Sequence, residues 1–311
     1  IEYVHQANMH STMMFFTQKG RCYWLKVYQI PEGNKASKGR AIQNLLNIDA
    51  DDCVNAFIRV KHLDDEEFTS SHNLIFCTKK GIIKKTSLKA YSRPRSNGVN
   101  AIIIREDDQV IQVRLTDGNA DVIIANKAGR AIRFHESKVR EMGRMSTGVR
   151  AMTLDDDNDE VVGMITMTGK EDETVMVVSE NGYGKRSLLE DYRITNRGGK
   201  GVKTMNVTEK TGSLVAIKSV NDENDLVIIN KSGITLRIHV ADFRVMGRAT
   251  QGVRVINLEK RNDTIASVCC VDTDPEEEVE QVDGEVLDGP VLDEDVNETE
   301  EVEDPQEESE E

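Results

Sequence analysis

The chain has 311 residues, with 40 Lys and Arg against 55 Asp and Glu, a formal charge of −15. Twenty of the acids fall between Thr273 and Glu311, which hold no Lys or Arg, so residues 1–272 keep 35 acids against 40 bases, a net of +5. The composition excludes a membrane helix, because no run of about 18 apolar residues exists, and the five cysteines (Cys22, Cys53, Cys77, Cys269, Cys270) have neither metal spacing nor the even count of a disulfide framework. A reducing, cytoplasmic setting fits that usage.

In chain order, Ile1–Ala7 reads as the last strand of an earlier repeat, with 1–10 as its remnant, and the chain as part of something longer. Five copies of one pattern follow, over 11–68, 69–118, 119–171, 172–222 and 223–272. Each opens with an apolar run and a polar turn ending in Gly20, Gly81, Gly129, Gly182 or Gly233. A second glycine stands 17 to 19 residues later, at Gly39, Gly98, Gly148, Gly201 or Gly252. A period near fifty residues is that of propeller-like arrays, whose units are too small to bury a hydrophobic face alone.

Four strands are expected per copy, rich in Val, Ile and Thr and bounded by Gly, Asn and Asp. In the third copy they are Val122–Ala125, Ala131–Phe134, Val149–Leu154 and Val161–Met167. The fifth gives Leu226–Ile229, Thr235–Ile238, Val253–Leu258 and Thr264–Val268. The first two form a hairpin whose turn glycine supplies positive φ. Convincing helical periodicity over more than two turns is absent. The expected fold is all-β, with five four-stranded blades, the remnant strand before them, and an acidic tail over 273–311. That tail is too poor in large apolar groups to fold.

Basic residues recur in register. Four past the turn glycine stand Lys85, Arg133, Arg186 and Arg237, with Lys185 beside Arg186 and Trp24 in the first copy. Around the second glycine stand Lys38 and Arg40, Arg93 and Arg95, Arg144 and Arg150, Arg197 with Lys200 and Lys203, and Arg248 and Arg254. Copies three and five share a near-identical string, Met142-Gly143-Arg144 to Gly148-Val149-Arg150 and Met246-Gly247-Arg248 to Gly252-Val253-Arg254. Equivalent positions in an array share an edge, so these cations should form a basic rim, and the recurrence favours a phosphate backbone over mere solubility. A curved rim suits a bent duplex, whose bending cost of about 1–6 kcal/mol the added contacts offset.

Other signals are weak. Asp155–Asp159 resembles the start of a calcium loop, but Glu160 and Thr166 stand where glycine and a bidentate glutamate belong, so a solvated turn is expected. Gly182–Ser187 has neither Walker nor dinucleotide spacing. The six histidines form no metal or nucleophile constellation, and Trp24 reads as packing. No catalytic residue, metal site or cofactor is expected in this stretch.

Several segments together resemble the C-terminal DNA-wrapping domain of the bacterial DNA gyrase A protein, with its relative in topoisomerase IV. They are Lys26–Pro31, Lys38–Arg40, Asn44–Leu46, Asn181–Arg186 and the two Met-Gly-Arg strings. The resemblance covers residues 1–272. It implies a six-bladed β-pinwheel, a propeller variant with strand exchange between neighbouring blades, with double-stranded DNA wrapped on its basic perimeter. It further implies partnership with the rest of the gyrase A protein and with the gyrase B protein, in an A2B2 heterotetramer that supercoils DNA negatively. ATP and Mg2+ are used elsewhere in that assembly. The domain itself is expected to be monomeric. The family's Gln-Arg-Arg-Gly-Gly-Lys-Gly box is not matched; Thr195–Gly201 is a degenerate copy, and the breakage-reunion tyrosine has no counterpart. The acidic tail resembles tails that modulate wrapping. The rival reading is a propeller scaffold that binds proteins at its channel mouth.

Overall fold

The computed structural model describes residues 7–34, 37–169, 172–258 and 263–272. The remnant strand and the acidic tail therefore lie outside the described residues, apart from Ala7–His10, which form no strand.

The described residues form a five-bladed β-pinwheel. The first copy contributes β1 (Thr12–Thr17), β2 (Arg21–Lys26) and β3 (Val54–Val60). From the second come β4 (Asn73–Thr78), β5 (Ile82–Ser87), β6 (Val99–Asn100) and β7 (Val110–Thr116). The third supplies β8 (Asp121–Asn126), β9 (Arg130–His135), β10 (Val149–Arg150) and β11 (Val161–Met167). The fourth gives β12 (Thr174–Ser179), β13 (Tyr183–Leu188), β14 (Val202–Lys203) and β15 (Leu214–Val220). The fifth ends the series with β16 (Asn224–Asn230), β17 (Thr235–His239), β18 (Val253–Arg254) and β19 (Ile265–Asp272). The one α-helix among the described residues is a short turn, Glu66–Ser71, capped by the Asp65 carboxylate.

Each copy's first two strands form the expected antiparallel hairpin, and its last strand pairs on the inner side of the first. The short third strand does not join its own blade. β6 pairs with β2, β10 with β5, β14 with β9 and β18 with β13, so each lies on the outer edge of the preceding blade. The strands expected at Val149–Leu154 and Val253–Leu258 are thus two residues long and belong to a neighbour. Four blades have four strands by this exchange, and the fifth has three among the described residues.

The second glycine makes the exchange possible. Gly98, Gly148, Gly201 and Gly252 all have positive φ, between 66° and 98°. A Cβ on Gly148 would lie 2.6 Å from the Ile83 carbonyl oxygen, and one on Gly252 2.7 Å from that of Gly184. The crossing chain runs directly against the receiving strand, and only glycine fits both demands. Gly39 is different: it has open space around it and no positive φ. Among the described residues the first copy's irregular segment forms no exchanged strand.

The core lies between blades. Leu74 and Phe76 pack towards the first blade with Met14, Phe16 and Tyr91, while Ile75 and Cys77 on the same strand pack towards the third with Val122, Ile124 and Phe134. Because both faces are covered, the leading strands read as continuous apolar runs rather than alternating ones. Trp24 packs against the first of these clusters, as expected of a packing residue. The inner strands β3, β7, β11, β15 and β19 touch in succession and form the hub.

Candidate nucleic-acid interface

The two series of basic residues separate on folding. Cations near the second glycine go to the outer edge, whereas those after the turn glycine become ties within and between blades. Lys185 is fully buried and Arg186 nearly so. The Lys185 ammonium donates to the Gly247 carbonyl at 2.7 Å and to that of Arg248. Arg186 donates to Thr174 Oγ1 at 2.7 Å and pairs with Asp222. Arg133 is held by Asp121 at 2.6 Å and donates to the Leu189 and Tyr192 carbonyls at 2.7 and 3.0 Å. Lys85 donates to the Glu136 carbonyl at 3.1 Å, with the Glu136 carboxylate 3.6 Å away. Arg237, though more exposed, is paired with Asp225 at 2.6 Å. The assignment of Lys185 and Arg186 to a DNA-facing rim is therefore corrected, since both are buried and partnered. Arg133 and Lys85 keep 12% of their side chains exposed but are already committed to carboxylates and carbonyls. Sequence recurrence could not separate the series, because both repeat in register from copy to copy.

The outer edge holds the rest. Register places Arg150 opposite Ile82, Lys203 opposite Arg130 and Arg254 opposite Tyr183, with Asn100 and Arg21 in the same place on the first blade. Arg150 and Lys203 are exposed. Arg254 lies over the Tyr183 ring, 5.6 Å from its centroid, and donates to the phenol at 3.0 Å; Arg21 does the same over Tyr23 at 5.8 Å. Arg21 and Arg130 were not singled out by the sequence. The signal was available: each follows a turn glycine directly, which puts it at the start of the strand that receives the exchange.

The loops carrying the second glycine form the remainder of the edge. Arg93, Arg95, Arg144 and Lys89 line one cleft of about 350 Å3 between the second and third copies. Arg197 donates to the carbonyls of Lys138 and Arg150, both at 3.1 Å, and Arg248 to that of Lys203 at 2.9 Å. Lys200 lies 3.4 Å from Asp155, which also takes Arg130 at 3.1 Å. Asp159, at the far end of the Asp155–Asp159 turn, is buried rather than solvated and accepts from Asn126 at 2.6 Å, which ties the turn to β8. Among the described residues, Arg93, Arg95, Arg144, Arg150, Arg197, Lys203 and Arg248 are paired with no carboxylate. Lys38 and Arg40 are exposed in the irregular segment between β2 and β3, apart from any exchanged strand.

Successive loops are joined by one recurring backbone bond. Ile103 N–H donates to the Ser146 carbonyl at 3.1 Å, Thr153 to Gly199 at 3.0 Å and Asn206 to Thr250 at 3.2 Å. Donor and acceptor hold the same offsets from their glycines each time, five after and two before. The outer edge is therefore a continuous ribbon that carries guanidinium and ammonium groups at recurring chain offsets, several of them paired with no carboxylate.

Comparison with known proteins agrees with this architecture. A family model described as DNA gyrase C-terminal domain, beta-propeller, matches residues 11–61, 72–117, 120–166, 173–221 and 224–272. The chain is 43% identical over 271 residues to the DNA gyrase A protein of Staphylococcus aureus (strain MRSA252), covering 87% of this chain and 30% of that protein. It thus spans just under a third of the curated relative. Among solved structures, the C-terminal domain of DNA topoisomerase IV matches with a TM-score of 0.74 at 26% identity, over 86% of this chain and 80% of that one. A DNA gyrase A C-terminal domain matches at 0.71 and 25%, over 84% and 83%.

Proposed function

The chain belongs to the DNA gyrase C-terminal domain family, and we propose that its outer edge binds duplex DNA without sequence preference and wraps it. The observation that carries this reading is the unbroken ribbon of exchanged loops, with Arg144, Arg150, Arg197, Lys203 and Arg248 set along it and no carboxylate on any of them. Cations at fixed intervals along a curved edge meet successive phosphates only if the duplex follows the curve. Each neutralised phosphate releases condensed counterions, which supplies affinity that offsets the bend.

In the longer protein, this domain would hold a DNA segment beside the catalytic parts of an ATP-dependent type IIA topoisomerase. Wrapping in one sense there would bias strand passage towards negative supercoils, with ATP hydrolysed by the partner gyrase B protein. The gyrase assignment rests on the 43% identity to a gyrase A protein. On this reading the domain contributes DNA geometry rather than bond chemistry.

Titration of the chain with duplex DNA at several salt concentrations tests the proposal. Affinity that falls steeply with salt, and a slope flattened by joint charge reversal of Arg150, Lys203 and Arg254, is the expected result. A shallow slope indifferent to that reversal would overturn the assignment of the edge.

A further inference from the structure

Two lysines that the proposed function does not use are buried beneath the rim. Lys84 and Lys185 are both fully buried, each three residues past its turn glycine. The Lys84 ammonium donates to the Ala101 and Arg144 carbonyls, both at 2.7 Å. Lys185 likewise reaches Gly247 and Arg248 in the corresponding loop of the copy that follows its own. Each lysine comes from the blade that receives the exchanged strand, and each carbonyl on Arg144 or Arg248 comes from the donor copy. These are the two copies with the Met-Gly-Arg string.

The loops themselves are tight turns with arginine at the corner. Ser146 Oγ donates to the Gly143 carbonyl and Thr250 Oγ1 to that of Gly247, both at 2.8 Å. The flanks of each turn are tied to the receiving blade by backbone bonds, Met142 N–H to the Lys85 carbonyl at 2.8 Å and Met246 N–H to that of Arg186 at 2.7 Å. The lysine adds a tie at the arginine itself, on the Arg144 or Arg248 carbonyl. Where the string is absent, so is the lysine. The third copy has Ile132 at this position, packed against Gly199 of a loop that lacks the string.

These are costly places for an ammonium. Burial, with Arg144 nearby, pulls Lys84 down to about 8. Burial pulls Lys185 down to about 7, with Asp191 opposing and Arg248 reinforcing the shift. A buried charge is weak evidence for stability and can instead serve a specific geometry.

We propose that Lys84 and Lys185 are positioning residues, each pinning the glycine-arginine loop of the following copy so that Arg144 and Arg248 face the DNA backbone. This rests on the DNA-wrapping reading above. The test uses the whole chain and a duplex DNA titration across salt, with Lys84→Met and Lys185→Met made separately. Each should reduce the salt slope by about 0.9, the loss of one phosphate contact, although neither lysine is within reach of DNA.

The discriminating readout is a pair of double mutants. Lys84→Met with Arg144→Gln should be no worse than Arg144→Gln alone, whereas Lys84→Met with Arg197→Gln should lose both contributions. Slopes unchanged by both lysine substitutions, or full additivity of Lys84 with Arg144, would overturn the proposal. If Lys84→Met does not fold, Lys185→Met with Arg248→Gln provides the same comparison in the other loop. A wild-type chain that fails to bind DNA overturns the wrapping reading and this one together; a binding wild type with unaffected variants overturns only the pins.

Discussion

The Arg197 guanidinium donates to the backbone carbonyl of Arg150, 47 positions earlier in the chain, at 3.1 Å. One rim cation thus braces the strand that presents another, and Arg248 repeats the relationship with Lys203. Neighbouring rim residues should therefore not act independently. Arg197→Ala is expected to weaken DNA binding by more than one lost phosphate contact, and the double variant Arg197→Ala/Arg150→Ala by less than the sum of the two. A double-mutant cycle by fluorescence titration measures the coupling; strict additivity would contradict the bracing.

The sorting of cations into edge and interior makes an opposite prediction for Arg133. Its charge is largely hidden and satisfied by Asp121 and two carbonyls. Arg133→Gln should cost about 3 kcal/mol of stability, because it leaves a partly buried carboxylate without its partner. Urea unfolding should record that loss. At temperatures where the variant is folded, its salt slope for DNA should match the wild type.

Glycine substitution separates crossing loops from the one that does not cross. Gly148→Ala meets a positive φ and the Ile83 carbonyl, so it should destabilise by more than the roughly 1–2 kcal/mol of left-handed backbone strain alone. Gly39→Ala, with open space around it, should change thermal unfolding little. Equal effects at the two sites would contradict the strand-exchange argument.

The fold was legible in sequence because its period is long and its punctuation is glycine. Both turn series and both hairpin strands could be placed, and the apolar runs of β4, β8, β12 and β16 reflect burial on two faces. Strand exchange was not readable from residues alone: Val149-Arg150 has the same pattern whether it pairs at home or next door, and only the resemblance implied a neighbour. The site was half legible. Arg150, Lys203 and Arg254 follow a glycine by two residues and fall on the edge, but Lys85 and Arg186 have the same recurrence and go inside. What distinguishes them is the partner, Glu136 or Asp222, which sits in another loop and has no fixed spacing.

The buried lysines predict a pH dependence. Their folded-state values, about 8 for Lys84 and about 7 for Lys185, lie below the ordinary 10.5. Between pH 7 and 9 the unfolded chain therefore holds more protons than the folded one, and stability should rise with pH over that window. The penalty is fully present only below the lower of the two values, at about pH 6. The Lys84→Met/Lys185→Met variant should show a flatter rise in urea midpoint between pH 7 and 9 than the wild type does. An identical rise in both would mean that neither lysine is perturbed.

A duplex bent around one curved cationic ribbon of exchanged loops must leave a topological signature. Closing nicked circular DNA with ligase at increasing amounts of the chain, then resolving topoisomers on a gel, reads that signature. The expected outcome is a progressive shift of linking number in a single sense, abolished when Arg150, Lys203 and Arg254 are reversed. Saturated binding with no change in linking number would contradict the ribbon.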